Sequence, residues 1–153
     1  METIDRTRAV KLLGGKPDHR HAALGVALVA TVGSLYFSLG MGLIPCDLCW
    51  YQRILMYPLV PFLAVGILRG DSLRAYVLPL SIGGFFIAAY HNYIQMTPAS
   101  GGVCTSGVPC EIPSALFFTD IYTRGVTIPQ MSLVAFGIIT ALFLLPNFTG
   151  IKD

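Results

Sequence analysis

The stretch Pro45-Cys46-Asp47-Leu48-Cys49-Trp50-Tyr51-Gln52-Arg53-Ile54-Leu55-Met56-Tyr57-Pro58 sets two cysteines, three positions apart, at the threshold of a long apolar run. Between residues 49 and 68, Arg53 is the only charged side chain. A run of that length matches the ~20 residues a helix needs to cross the hydrocarbon core of a bilayer. Three further runs have the same character: 22–43 and 129–145, both without charge, and 75–96, with His91 near its end. In lipid every backbone amide must find its partner within the segment, which makes helices the economical structure. The expected fold is therefore an all-α membrane protein, a bundle of four transmembrane helices, built as a single domain over residues 1–153. Pro58, Pro61 and Pro79 are expected to kink or end helical turns, as packed membrane helices tolerate.

The composition agrees with a membrane chain. Hydrophobic residues make up 54% and charged residues 12% of 153 residues, against about 25% charged in soluble domains. A net charge of +2 with no basic stripe interleaved with aromatics gives nucleic-acid binding no support. The placement of the charge carries more information. Arg6, Arg8, Lys11, Lys16 and Arg20 precede the first run, Arg69 and Arg74 flank the turn between the second and third, and Lys152 follows the fourth. Eight of ten basic residues thus fall on one side, and only Arg53 and Arg124 lie on or near the other. The positive-inside rule then places both termini in the cytoplasm of a multi-pass plasma-membrane protein. The turn 40–45, the long loop 97–128 and all four cysteines lie outside. The first run is too long for the ~7–15-residue apolar region of a signal peptide, and three more spans follow it, so it reads as a retained helix. Within the loop, Ser100, Gly101 and Gly102 promise mobility. Ile112, Leu116, Phe117, Ile121 and Tyr122, interrupted by polar residues, read either as a short amphipathic segment in the interface or as a loop packed over the bundle mouth.

Cys46 and Cys49 form a CxxC at a helix start, where free N–H groups and the helix dipole stabilise a thiolate, the nucleophile of disulfide exchange. A structural disulfide and half of a zinc site are the alternatives; c-type haem attachment fails because Trp50, not histidine, follows the motif. Arg53 lies one turn deeper on the face of Cys49. It either supports a Cys49 thiolate, donates to a carbonyl oxygen of a lipid-soluble acceptor, or snorkels to the interface. Cys104 and Cys110 make a second pair in the Gly- and Pro-containing loop, readable as a staple or as an exchangeable disulfide. His91 is a candidate for contact with a quinone-like carbonyl or for proton movement, with a satisfied interfacial histidine as the alternative. Trp50, Tyr51, Tyr90 and Tyr93 suit an interfacial aromatic belt.

The CxxC followed by Trp50-Tyr51-Gln52-Arg53, the four spans and the later cysteine pair together resemble the DsbB family of disulfide bond formation proteins. The likeness is greatest to its compact Gram-positive-type members, often called BdbC, and covers nearly the whole chain. It implies a quinone-dependent thiol oxidoreductase that reoxidises an extracytoplasmic DsbA-like thioredoxin-fold partner and reduces ubiquinone or menaquinone. By position it implies that Cys46 and Cys49 are the pair beside the quinone, that Arg53 is the quinone-proximal arginine, and that Cys104 and Cys110 meet the partner. His91 is carried over from its place in the third span. The short separation of Cys104 and Cys110 departs from the best-known members. The vitamin K epoxide reductase family shares four helices, a CxxC and a quinone, but its loop cysteines precede the CxxC. A membrane protein braced by disulfides or zinc is the non-enzymatic alternative, although no metal is expected.

Overall fold

The computed structural model describes residues 19–70, 73–97 and 127–145. The loop cysteines Cys104 and Cys110, the segment 112–123 and the basic N-terminal residues up to Lys16 lie outside these residues. Every extended element described is a helix. Helix α1, His19–Leu35, continues into a π-helical turn, Tyr36–Gly40; α2 covers Asp47–Met56, α3 Leu59–Arg69, α4 Arg74–Met96 and α5 Ile128–Leu144. The stretches His19–Gly40, Asp47–Arg69 and Arg74–Met96 are long and apolar enough to cross a membrane, and α5 is a shorter apolar helix. At 1.5 Å per residue its 17 residues span about 26 Å. The architecture is a four-helix membrane bundle, with α2 and α3 forming its second leg.

The break within that leg comes from Pro58, whose nitrogen carries no proton to donate back to the preceding turn. The chain resumes helical bonding at once, Phe62 N–H donating to Pro58 O at 3.1 Å. Pro61 falls in the first turn of α3, where an N–H would have no intrahelical partner anyway. Pro79 sits inside α4, which runs through it unbroken. Gly70 ends α3 with φ at +74°, a left-handed conformation open to glycine without a Cβ penalty, and its N–H caps Gly66 O at 2.8 Å. Ahead of α5, Thr127 is extended, and its N–H is accepted by Gln130 Oε1 at 3.2 Å.

The bundle is apolar inside and out. Leu59, Leu63, Val77, Phe136 and Ile139 are fully buried, together with Ala23 and Ala27 of α1. Val29, Leu39, Leu68 and Phe86 turn outward, more than 65% exposed each, a surface suited to lipid. Helices α4 and α5 pack most closely, and Gly84 is the reason. A Cβ there would stand 2.2 Å from the Phe136 ring, so the missing side chain makes the space that ring occupies. This contact sets how α4 and α5 meet, and with it the facing of His91 and Ser132 farther along the same helices.

Candidate active site

Cys46 occupies the N-cap position of α2 in an extended conformation, and its carbonyl accepts the Trp50 N–H at 3.1 Å. One turn on, Cys49 brings its sulfur to 3.0 Å from the Cys46 sulfur. Both are free thiols in this structure, Cys46 buried and Cys49 half-buried. Cys46 packs with Leu48 and Ile94 in a small apolar cluster at the end of the bundle. Its thiol is pulled from an ordinary value of 9.0 down to about 4. The main cause is the Cys49 thiol donating to it; burial opposes the shift, and a hydrogen bond from His91 adds to it.

The polar contacts of this end cross from helix to helix. His91 of α4 is 1% exposed, with Nε2 at 3.8 Å from Cys46 Sγ. Its Nδ1 lies 3.2 Å from Gln52 Nε2, and Gln52 Oε1 accepts the Ser132 hydroxyl of α5 at 2.5 Å. A buried polar group without a partner costs about 1–3 kcal/mol, and this chain satisfies each of its members. Asn92 is separately satisfied, donating to Ala88 O at 2.8 Å.

Arg53 faces the other way, toward α1. Its Nη2 donates to Ser34 O at 3.2 Å and to the Ser38 hydroxyl in the π-helical turn, and its guanidinium lies 5.6 Å from the centre of the Trp50 ring. Ser34 and Ser38, four positions apart, present one face to it. Tyr57 Oη is 3.4 Å from Ser34 Oγ on the same side. The guanidinium is therefore held within the bundle instead of reaching out along the helix surface.

A cavity of about 1070 Å³ joins these groups. Cys46, Cys49, Gln52, Arg53, His91, Ser34, Ser38 and Ser132 line its polar end; Ala22, Val26, Val29, Val134 and Ile138 line its apolar length between α1 and α5. Its volume is at the upper end for small-molecule sites, and its shape offers a polar head site continued by an apolar channel. The structure thus brings together four of the six residues the sequence singled out, Cys46, Cys49, Arg53 and His91. It also adds Gln52, Ser34, Ser38 and Ser132, which sequence reasoning passed over. Their signal was available, because polar side chains within otherwise apolar spans are functional candidates by position.

The family model described as Disulfide bond formation protein DsbB matches residues 19–146. Disulfide bond formation protein C of Bacillus subtilis (strain 168) is 47% identical over 119 residues, covering 76% of this chain and 83% of that one. A probable disulfide formation protein of Deinococcus radiodurans is 41% identical over 132 residues, 80% of this chain and 84% of that one. One from Oceanobacillus iheyensis is 40% identical over 125 residues, 78% and 81% respectively. No solved structure matches the chain. A four-helix membrane bundle with a CxxC at the mouth of its second leg, matched by this family along every described helix, belongs to the DsbB family, whose members are membrane oxidoreductases of disulfide bond formation.

Proposed function

We propose that this chain reoxidises an extracytoplasmic DsbA-like thioredoxin-fold partner and passes the electrons to a quinone of the membrane pool, ubiquinone or menaquinone. The observation that carries this reading is that Cys46, Cys49 and Arg53 line the polar end of one cavity whose remaining length is apolar. Those walls suit a flat, polar ring on an isoprenoid chain. Arg53, restrained by Ser34 and Ser38, would hold a ring carbonyl oxygen, and the α1 and α5 side chains would hold the tail. A quinone, when bound, supplies a two-electron, two-proton acceptor.

The remaining chemistry belongs to the chain's own residues. A partner thiolate attacks the Cys104–Cys110 disulfide, and the mixed disulfide resolves to release an oxidised partner and a loop dithiol. That dithiol attacks Cys46–Cys49, so one disulfide forms as another breaks and the electron pair moves inward. Cys49 faces the acceptor while Cys46 faces His91. The walls of α1 and α5 exclude water, and the two thiol protons leave with the electrons. In this reading residues 1–153 form one domain of a plasma-membrane protein, with both termini cytoplasmic and the four cysteines extracytoplasmic.

The test is a reconstituted assay of quinone reduction driven by a reduced thioredoxin-fold partner. Cys46→Ser and Cys49→Ser should each abolish turnover, and intact turnover in either would end this reading. An impermeant thiol reagent applied to whole cells should label Cys104 and Cys110 after mild reduction. A second reading draws on the ligand atoms of Cys46, Cys49 and His91, which lie within 4.8 Å of one another, close enough to share a soft metal ion such as zinc. Stoichiometric zinc in the reduced protein, with no quinone reduction, would favour that alternative.

A further inference from the structure

We propose that Gln52 is a positioning residue: held by Ser132, its amide keeps His91 as the Nε2–H tautomer and so aims the one imidazole N–H at the Cys46 sulfur. The proposal rests on the reading of Cys46 and Cys49 as the redox pair, and it assigns a task to two side chains which that reading leaves unused.

A short contact fixes the orientation of the Gln52 amide. Ser132 Oγ and the nearer atom of the Gln52 amide are 2.5 Å apart. That distance falls within the range of O–H···O bonds and below the range of N–H···O bonds. The amide oxygen therefore faces Ser132, and the serine proton lies between the two oxygens even though Pro129 O is also within 3.0 Å of Oγ. The orientation leaves the amide NH2 toward His91, with Nε2 of Gln52 3.2 Å from Nδ1. An amide N–H can only be accepted by a ring nitrogen carrying a lone pair. Nδ1 is then unprotonated, and the single proton of the neutral ring sits on Nε2, 3.8 Å from Cys46 Sγ. With Gln52 5% and His91 1% exposed, water does not compete for these groups. The other tautomer would set an N–H against the amide NH2 and a bare nitrogen against the sulfur.

The result is a donor fixed on Cys46 and none from this ring on Cys49. Among the described residues, the groups facing Cys46 and His91 are Cys49 and Gln52, with Asp47 and Arg53 as charged neighbours on α2. Helices α1, α3 and α5 and the remainder of α4 bring only neutral side chains to this cavity.

The deciding measurement is 15N NMR of the full-length reduced protein in detergent, labelled at its three histidines. His91→Gln identifies the signal. His91 should show a protonated Nε2 and an unprotonated Nδ1; the reverse pattern overturns the proposal, and this result needs no folded Gln52 variant. A second readout is the pH dependence of Cys46 alkylation by iodoacetamide in a Cys49→Ser, Cys104→Ser, Cys110→Ser background. Gln52→Met should move the midpoint up by about one pH unit, the size expected from losing one hydrogen bond to a thiolate. Ser132→Ala should move it the same way by less. Unchanged midpoints in both Gln52→Met and Ser132→Ala overturn the proposal. Neither readout involves quinone or partner, so failure here with turnover intact counts against this inference alone.

Discussion

The middle of the bundle and its cysteine end are held together by different forces. In the middle, Leu59, Leu63, Phe136 and Ile139 are fully buried and offer shape alone; Gly84 and Phe136 mesh because one lacks what the other needs room for. At the cysteine end, helices are tied by directed contacts: Cys46 with His91, Gln52 with His91 and Ser132, Arg53 with Ser34 and Ser38. Shape complementarity stabilises without selecting a chemical state. Hydrogen bonds between buried groups select protonation states and orientations, because in a low dielectric an unmatched donor or acceptor is expensive. Under the proposed function one end serves stability and the other reactivity, and substitutions should separate the two.

The largest effect is expected from Cys46→Ser or Cys49→Ser. Quinone reduction should fall on the order of 10³-fold or more, since removing one nucleophile disables a unit that works as a pair, while thermal unfolding in detergent changes little. Next in size is Cys49→Ala, which removes the main donor to Cys46. The alkylation midpoint of Cys46 in the reduced protein should climb from about 4 toward its ordinary 9.0. The sign follows from the lowered value. The thiolate stabilises the reduced fold fully above the ordinary value, and this stabilisation fades as pH falls through about 4. Denaturant titrations of the reduced protein across that window should show the slope, and the oxidised protein, with no thiol at Cys46, should lack it.

Leu63→Ala, fully buried and away from the cavity, should mirror the cysteine variants, destabilising by about 2–5 kcal/mol through the void it leaves while turnover in the cold stays near normal. Loss of turnover without loss of stability would break the division between the two regions. Arg53→Ala should weaken apparent quinone affinity about 10–100-fold, from about 1.5–3 kcal/mol for hydrogen bonds made by a charged group. Ser38→Ala, which only loosens the guanidinium, should cost a few-fold, read as a rise in KM for quinone.

Much of the fold was legible along the chain. The apolar runs are local and additive, so the helices could be read from composition; of the three prolines expected to kink or end turns, Pro58 marks the break in the second leg, whereas α4 runs on through Pro79. The π-helical turn at Tyr36–Gly40 had no such local mark. Of the site, Cys46, Cys49 and Arg53 were visible because their spacing lies within one helix. Gln52 lies beside Arg53 in the same helix, but its importance depends on what faces it across the bundle.

The amino-acid sequence by itself determined the membrane class of this protein, its four apolar legs, its CxxC and its family, because each of these rests on residue type and short-range spacing. Tertiary structure alone decided that His91, 45 positions away, meets Cys46, that Ser132, 80 positions away, holds Gln52, and that Arg53 turns to α1. Those pairings depend on how each helix is rotated about its axis. That rotation is set by contacts such as Gly84 with Phe136, in which residues from distant parts of the chain fill one another's space.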